Sequence, residues 1–220
     1  PGITPLQAAA GGYNILFIVT DQERFFRPGE LPGNYRLPAH QRLAKRGVVF
    51  ENHRINSCVC TSSRSVLYTG RHIQQTRMFD NANFPWSNDL PADIKTMGHL
   101  LREAGYYTAY KGKWHLANME DCSQSGPMTN WPLGRGFERY YGFLGGATDQ
   151  YSPELVIDNR IVDVPSDPDY HLSSAMVDEM ISMITSHRAT STRPFFAYPA
   201  FGATHAPHQA PATNTDKYRG

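Results

Sequence analysis

Residues 13–22, YNILFIVTDQ, contain the longest apolar run of the chain, residues 15–19, and end in two polar side chains. The run is rich in β-branched and aromatic residues, which is typical of a strand buried on both faces of a largely parallel sheet. Sheets of that kind bind ligands beyond the carboxyl ends of their strands, which is where Asp21 and Gln22 lie. A turn or helix cap is the alternative role for Asp21. The stretch therefore predicts an α/β fold with its chemistry at one edge of a sheet.

Helical and strand patterns alternate along the rest of the chain, and the strands lead into loops with polar side chains. Helices are predicted over 38–46, 60–68, 94–104 and 173–187, and strands over 13–20, 48–50, 106–111 and 195–201. Residues 118–169 are rich in turns, and we expect them to cross over the reactive edge of the sheet without forming a second domain. The alternation predicts one α/β domain.

Composition excludes several classes of protein. At 220 residues, with 40% hydrophobic and 19% charged side chains, the chain is long enough to bury a core and is not of the disordered class. The net charge is +1 and the basic residues are dispersed, which argues against nucleic acid as a partner. No apolar run is long enough to span a bilayer, so no membrane partner is expected. Three cysteines without a CxxC pair form neither a disulfide framework nor a zinc knuckle.

Residues 57–71, SCVCTSSRSVLYTGR, place two of those cysteines in a segment with two arginines. Cys60 opens a predicted helix and Arg64 follows one turn later, so both side chains can lie on one helix face. A guanidinium there can hold an oxyanion beside a nucleophile, and a helix N-terminus also favours negative charge. An inert buried thiol is the alternative for Cys60. Cys58 and Cys122 are interpreted as structural or incidental.

Basic side chains follow two other predicted strands. Lys113 and His115 flank a tryptophan, and alternation in an extended segment would point both toward the same side. His205 follows the last predicted strand, and His208 is interpreted as a rim residue. Together with the acidic and amide side chains after the first strand, these groups offer oxygen ligands for a hard cation and cationic donors for a tetrahedral anion. The set suits a reaction on a sulfate or phosphate ester.

Segments in the same order along the chain resemble the type I sulfatase family. CTSSR at 60–64 and TGR at 69–71 are similar to its signature, in which Cys-x-Pro-x-Arg precedes Leu/Thr-Gly-Arg and the cysteine is oxidised to formylglycine. The resemblance implies a three-layer α/β/α sandwich of the alkaline-phosphatase-like type, with a mixed, mostly parallel sheet. Residues 1–220 would be the N-terminal part of one sulfatase catalytic domain. The other similar segments are NILFIVTDQ (14–22), GYYTAYKGKWHL (105–116), GFERYYGFLGG (136–146) and RPFFAYPAFGATHAPHQAP (193–211).

The resemblance implies a role for each matching residue. Cys60, as hydrated formylglycine, would be the nucleophile: one gem-diol oxygen would bind the metal and attack sulfur, and the other would expel sulfate by re-forming the aldehyde. Arg64 would stabilise that hydrate and His115 would orient it. Lys113 and His205 would bind sulfate oxygens, and one of them would protonate the leaving group.

The resemblance also implies a divalent cation, held by Asp21, Gln22 and the modified Cys60. Ca²⁺ is expected, with Mg²⁺ or Mn²⁺ as alternatives, because Gln22 replaces the second aspartate of most sulfatases and so removes a negative charge. Some relatives, including choline sulfatases and phosphonate monoester hydrolases, also have glutamine at this position. The family's remaining ligands, an Asp followed by Asn or His, and another sulfate-binding Lys come from a C-terminal half beyond Gly220. We therefore expect the 220 residues alone to be incomplete for activity.

The predicted function is hydrolysis of a small-molecule sulfate monoester, an aryl sulfate, with a formylglycine-generating enzyme as the maturation partner. Ser62 stands where the signature has proline, and conversion of Cys60 depends on whether that enzyme accepts the serine. One alternative is a phosphonate monoester or phosphodiester hydrolase, which Gln22 favours and the pair Lys113 and His115 disfavours. The other is an inactive fragment or pseudoenzyme that serves as a binding module. Bacterial relatives occur in the cytoplasm and the periplasm, and the cytoplasm is slightly favoured.

Overall fold

The computed structural model describes residues 12–27, 29–84 and 86–218, and within these ranges six strands form one sheet. The strands are β1 (Ile15–Leu16), β2 (Tyr107–Lys113), β3 (Arg139–Phe143), β4 (Val156–Ile157), β5 (Arg160–Ile161) and β6 (Phe195–Ala200). The helices are α1 (Pro38–Ala44), α2 (Cys60–Thr69), α3 (Ile73–Thr76), α4 (Met97–Glu103), α5 (Leu172–Thr190) and α6 (Ala212–Thr215), with 3-10 turns at Met119–Asp121, Met128–Asn130 and Asp216–Tyr218. None of the helices in these ranges is long and apolar enough to cross a membrane.

The sheet has the strand order β1-β6-β2-β3-β4-β5. Strands β1, β6, β2 and β3 run parallel to their neighbours, whereas β4 and β5 add an antiparallel hairpin at the far edge. The parallel strands end at one edge of the sheet, so the segments that follow Val19, Lys113 and Ala200 emerge close together. The predicted mixed, mostly parallel sheet is confirmed.

Helices cover both faces of the sheet. Tyr140 and Tyr141 are consecutive in β3 and therefore point to opposite faces. Tyr140 packs in the core that includes Tyr68 of α2, and Tyr141 packs in the core that includes Met176 of α5. The predicted three-layer arrangement, with helices on either side of the sheet, is confirmed.

The first strand differs from the prediction that residues 13–20 are buried on both faces. Its ladder covers only Ile15 and Leu16, with one further bridge between Val19 and Ala200. Leu16 is 56% exposed and Ile18 is 50% exposed. The prediction of an interior strand was wrong because, in the part of the chain that the structure describes, β1 pairs with β6 alone and lies at the edge of the sheet.

Two other predicted segments also differ. Residues 48–50 form no strand and are exposed, so their apolar character does not reflect sheet pairing. Residues 118–169 do more than cross the sheet edge, because they contain β3 and the β4–β5 hairpin. Gly142 lets β3 lie against β2, since a Cβ at that position would lie 2.2 Å from the Gly112 carbonyl oxygen. The segment that was predicted only to be rich in turns thus contributes β3, an inner strand of the sheet.

Gly112 interrupts the alternation of side chains along β2. Its φ is +111°, and a Cβ at this position would lie 2.0 Å from the Ala200 carbonyl oxygen of β6. Lys111 faces α5, where its Nζ lies 3.8 Å from Glu179, whereas Lys113 reaches the α2 side of the sheet. Regular alternation would have placed both lysines on one face. The glycine thus lets the strand deliver Lys113 to the edge where β1 ends.

Candidate active site

Helix α2 begins at Cys60 and sets that side chain at the edge of the sheet. The helix ends at Gly70 in the left-handed conformation, with φ of 65°, as the sequence predicts. The backbone N–H of Thr61 donates to Asn81 Oδ1 at 3.2 Å, and the Thr61 hydroxyl donates to the His115 carbonyl oxygen at 2.9 Å. The first bond fastens the start of the helix to Asn81, and the second fastens it to the segment that follows β2.

Four side chains that the sequence singles out meet beside the helix start. Lys113 Nζ lies 2.5 Å from Asp21 Oδ2 and 3.5 Å from Cys60 Sγ. Arg64 Nη2 lies 3.5 Å from the same carboxylate oxygen. Asp21 is 9% exposed, Arg64 6% and Lys113 0%. One carboxylate thus faces two buried cations, and the excess positive charge next to the sulfur favours an anionic ligand.

The guanidinium of Arg64 is held by acceptors on both sides. Nη1 donates to the Lys113 carbonyl oxygen at 2.7 Å and to the hydroxyls of Tyr110 at 3.3 Å and Tyr68 at 3.4 Å. Burial alone would lower the pKa of Arg64, but Tyr68, Tyr110 and Asp21 outweigh burial and raise it above its ordinary value. Arg64 is therefore a fixed positive charge at every physiological pH.

His115 is neutral in this setting. Burial, followed by the positive charges of Lys113 and Arg64, lowers the pKa of His115 to about 3. Its Nε2 lies 2.7 Å from Asn83 Oδ1, while its Nδ1 is buried without a hydrogen-bond partner in the described structure. Gly146 packs against the ring, since a Cβ there would lie 2.6 Å from His115 Cε1. The neutral imidazole can accept a hydrogen bond without first losing a proton.

A cavity of about 470 Å³ opens beside Cys60, and Asp21, Gln22, Arg64 and His205 contribute to its wall. Cys58 lines the same cavity and is exposed, so the neighbouring thiol has access to solvent. The cavity can hold a sulfate group together with part of the molecule that carries it.

The two histidines after β6 lie in different surroundings. His205 is half-buried at the cavity wall, with its Nδ1 2.7 Å from the Ala206 carbonyl oxygen. His208 is exposed and is not part of that wall. His205 is the one of the two that a ligand in the cavity could reach.

The donor atoms near Cys60 match a hard divalent cation in type. Asp21 supplies a carboxylate, which such cations prefer, and Gln22 adds an amide group in the same cavity. Within the described ranges no group of three or more His, Cys, Asp and Glu side chains could hold a metal ion. The residues present thus offer one carboxylate and one amide of the right chemical type, and Lys113 and Arg64 contact that carboxylate.

Sequence reasoning missed the contribution of residues 81–83. Asn81 caps the start of α2, the Ala82 N–H donates to the Thr61 hydroxyl at 3.1 Å, and Asn83 contacts His115. Their only sequence signal is a polar segment, DNAN, that follows no predicted strand. Nothing in that segment indicates a contact with a histidine 32 positions away.

Comparison with known proteins assigns the chain to a family. The sulfatase family profile matches residues 13–220. The chain belongs to the sulfatase family. Among curated relatives, arylsulfatase J of Mus musculus is 30% identical to the sulfatase chain over 218 residues, which cover 94% of this chain and 35% of that protein. The arylsulfatase of Klebsiella aerogenes is 26% identical over 226 residues, which cover 94% of this chain and 46% of that protein. The sulfatase chain spans less than half of either relative.

Solved structures agree with that assignment. The crystal structure of Ps i-CgsB superimposes on the sulfatase chain with a TM-score of 0.78 at 25% identity, covering 94% of this chain and 48% of that one. The same protein was solved in complex with k-i-k-neocarrahexaose and superimposes with a TM-score of 0.75 at 26% identity. The alkaline-phosphatase-like sandwich implied by the signature residues is confirmed.

Proposed function

We propose that this sulfatase hydrolyses sulfate monoesters with a nucleophile made from Cys60. The observation that carries the proposal is the position of the Lys113 amine, which contacts the Asp21 carboxylate and the Cys60 sulfur at once. A sulfate ester beside Cys60 would meet Lys113 and Arg64, two buried cations that face a single carboxylate. Water and the ester would be consumed, and an alcohol or phenol and sulfate would be produced.

The proposed nucleophile is the hydrated aldehyde that a formylglycine-generating enzyme makes from the Cys60 thiol. One hydroxyl oxygen of the hydrate attacks sulfur while the bond from sulfur to the leaving oxygen breaks. The second hydroxyl then loses its proton, the carbon–oxygen bond to sulfate breaks, and the aldehyde re-forms. Water adds to the aldehyde to restore the hydrate, so the cycle balances without any oxidant.

Neighbouring residues supply the charge and proton chemistry of this cycle. Arg64 and Lys113 would donate hydrogen bonds to the sulfate oxygens as negative charge shifts onto the leaving group. His115, held neutral by burial, can accept a hydrogen bond from a hydroxyl of the hydrate. His205, at the cavity wall, is the proposed acid that protonates the departing oxygen.

We also propose that Asp21 and Gln22 hold a divalent cation together with an oxygen of the modified Cys60. Ca²⁺ is the first choice, and Mg²⁺ and Mn²⁺ are the alternatives, because one carboxylate and one amide are oxygen donors with a low total charge. When bound, such a cation polarises the sulfate group as a Lewis acid. Lys113 and Arg64 would then share the Asp21 carboxylate with it, which leaves their remaining donors for the substrate.

An aryl leaving group is proposed because an apolar cavity adjoins the site. That cavity measures about 510 Å³, includes Phe25, Phe26 and Leu31 in its wall, and shares Thr20 and Glu23 with the cavity at Cys60. A phenyl ring in the apolar cavity could keep its sulfate at Cys60. A sulfate ester on a saccharide is the second candidate, because Ps i-CgsB was solved with k-i-k-neocarrahexaose.

The function is tested by turnover together with mass spectrometry of the Cys60 peptide. The full-length protein that contains residues 1–220, co-produced with a formylglycine-generating enzyme, is assayed with 4-nitrophenyl sulfate, a sulfated oligosaccharide and an aryl phosphonate. We expect the peptide to lose the mass difference between a thiol and an aldehyde, and the aryl sulfate to give the highest kcat/KM. Replacing Cys60 by Ala should abolish turnover while leaving the unfolding midpoint close to that of the parent protein.

Other outcomes of this assay would favour one of the alternative functions. Faster hydrolysis of the phosphonate would support a phosphonate monoester hydrolase, which Gln22 favours. Faster release of sulfate from the oligosaccharide would replace the aryl substrate. A Cys60 peptide that stays a thiol, with no turnover of any ester, would overturn the enzymatic proposal and leave a binding module, with Ser62 as the first position to examine.

A further inference from the structure

Asn83 is an exposed residue whose side chain contacts one of the most buried groups of the site. Its Oδ1 lies 2.7 Å from Nε2 of His115, and His115 is only 2% exposed. A hydrogen bond of this length must be donated by one partner and accepted by the other. It therefore selects which nitrogen of the neutral imidazole carries the proton.

The surroundings of the other ring nitrogen decide between the two tautomers. His115 Nδ1 is buried and has no hydrogen-bond partner in the described structure. If Nδ1 carried the proton, a buried N–H would be left without an acceptor, which folded proteins avoid more strictly than an unused acceptor. If Nε2–H donates to Asn83 Oδ1, Nδ1 keeps a bare lone pair. The arrangement thus favours the tautomer protonated on Nε2.

Asn83 belongs to a short segment, residues 81–83, that also forms hydrogen bonds to the start of α2 beside Cys60. Asn81 accepts the Thr61 N–H at 3.2 Å, and the Ala82 N–H donates to the Thr61 hydroxyl, which itself donates to the His115 carbonyl oxygen. Residues 81–83 therefore contact both the start of α2 and the histidine after β2. Movement of this segment would shift Cys60 and the imidazole together.

We infer that Asn83 is a positioning residue that acts through His115: it accepts the Nε2–H bond, fixes the ring and its tautomer, and leaves Nδ1 as the acceptor for a hydroxyl of the nucleophile. The role of Nδ1 in turnover rests on the proposed function, whereas the tautomer does not. In the described structure Asn83 makes no hydrogen bond to Cys60, Asp21, Arg64 or Lys113, so its effect on the reaction is indirect.

The tautomer is tested by imidazole ¹⁵N NMR of the full chain labelled at histidine. Two-bond proton–nitrogen correlations separate a protonated from a bare ring nitrogen, and loss of one histidine pattern in His115→Gln assigns the signal. We expect His115 to be protonated only at Nε2. Asn83→Ala should give a mixture of tautomers, whereas Asn83→Asp, which keeps an acceptor oxygen, should retain the Nε2–H form.

Matched controls separate positioning from folding. Asn81→Ala removes the bond to the Thr61 N–H in the same segment and should lower stability without changing the His115 pattern. Asn88→Ala removes an exposed bond to the Arg77 carbonyl oxygen and should change neither. A parent protein with His115 protonated at Nδ1, or an Asn83→Ala variant with an unchanged pattern, would overturn the inference.

Kinetics supply the second readout. In matured protein we expect Asn83→Ala to lower kcat roughly 10- to 100-fold, with KM changed by less than about twofold, because a supporting contact is lost but no substrate contact is. Asn83→Asp should recover part of kcat. A rise in KM with kcat unchanged would show that Asn83 binds substrate directly and would refute the positioning role. If the parent protein turned over no sulfate ester, the proposed function would fail, and the NMR result alone would decide the role of Asn83.

Discussion

Lys113 is the residue on which the charge balance of the site depends. Its amine is buried and lies 2.5 Å from Asp21, so replacing it by Met leaves a buried carboxylate with Arg64 at 3.5 Å as its remaining cation. We expect Lys113→Met to lower the free energy of unfolding by roughly 3 kcal/mol. Urea denaturation of the variant against the parent protein measures the loss.

A double-variant cycle tests the physical cause of that loss. Adding Asp21→Asn removes the carboxylate that Lys113→Met leaves uncompensated, so the double variant should be less destabilised than the sum of the two single variants. Strictly additive effects would show that the two side chains do not interact in solution. Both single variants should also lack sulfatase turnover.

Gly146 packs directly against the His115 ring, and this close contact is possible because glycine has no side chain. A Cβ at Gly146 would lie 2.6 Å from His115 Cε1, whereas a Cβ at Gly145 would lie 3.8 Å from its nearest neighbour, the Ala147 carbonyl oxygen. Gly146→Ala must therefore displace the imidazole, and we expect kcat to fall roughly 100-fold, as for a misplaced catalytic group. Gly145→Ala is the matched control and should keep most of the activity. Equal kcat values for the two variants would contradict this account.

At the scale of the elements, β2 depends on Gly112. An alanine there would place Cβ 2.0 Å from the backbone of β6 at a φ of +111°. We expect Gly112→Ala to lower the free energy of unfolding by roughly 3 kcal/mol or more, through overpacking and backbone strain combined. The loss is measured by urea denaturation, or by the yield of soluble protein if the variant does not fold.

Gly105→Ala serves as the control for strain alone. Gly105 also has a positive φ, +91°, but a Cβ there meets no atom within 4 Å. Its replacement should cost roughly 1 kcal/mol, from the strained backbone only. If both variants lost the same stability, the close approach of β2 to β6 would not be what requires glycine at position 112.

The same elements show how far the sequence could predict the fold. The end of the helix at Gly70 follows from a local signal, glycine in the left-handed conformation, whereas the helix start has Val59 as its N-cap and no side-chain cap bond from that residue. The edge position of β1 among the described strands could not be predicted, because an apolar run does not report how many partners a strand has. β3 was missed because Gly142 reads as a turn residue although it allows close strand packing.

The candidate site divides in a similar way. Asp21, Lys113 and Cys60 follow predicted strand ends or open a predicted helix, and parallel pairing alone brings such positions to one edge. Asn83 is positioned by contacts between segments far apart in sequence, which no periodicity records. The first group could be foreseen from local pattern, and the second required the tertiary structure.

At the scale of the molecule, the two faces of the sheet carry different electrostatics. The α2 side holds the centre at Cys60, where two buried cations face one carboxylate, whereas the α5 side holds Lys111, which is 3% exposed and whose amine lies 3.8 Å from Glu179. Burial lowers the pKa of Lys111 to about 8, Glu179 and Asp158 oppose that shift, and Arg139 adds to it. This second buried lysine takes no part in the proposed chemistry.

Lys111 therefore makes stability depend on pH in alkaline solution. Its pKa is about 8 in the folded chain against an ordinary value of 10.5, so between these pH values the unfolded chain binds more protons than the folded one. The contribution of Lys111 to the free energy of unfolding therefore rises with pH across that window, and the cost of burying the charged amine is present in full below about pH 8. We expect Lys111→Met to stabilise the protein by roughly 3 kcal/mol at neutral pH, with the gain shrinking toward pH 10.5. The substitution leaves Glu179 without its lysine partner, but this lowers stability little because the Glu179 side chain is half exposed to water.

Urea denaturation of both proteins between neutral and strongly alkaline pH measures this difference. Lys95→Met is the matched control, since Lys95 is exposed and pairs with Glu103 on the surface at 2.8 Å. Because this pair is exposed to solvent, its removal should change stability far less than removal of the buried lysine does. A Lys111→Met gain that stayed constant over this range would mean that the methionine stabilises by packing alone. A variant less stable than the parent protein at neutral pH would mean that the Lys111–Glu179 pair more than offsets the burial of the amine.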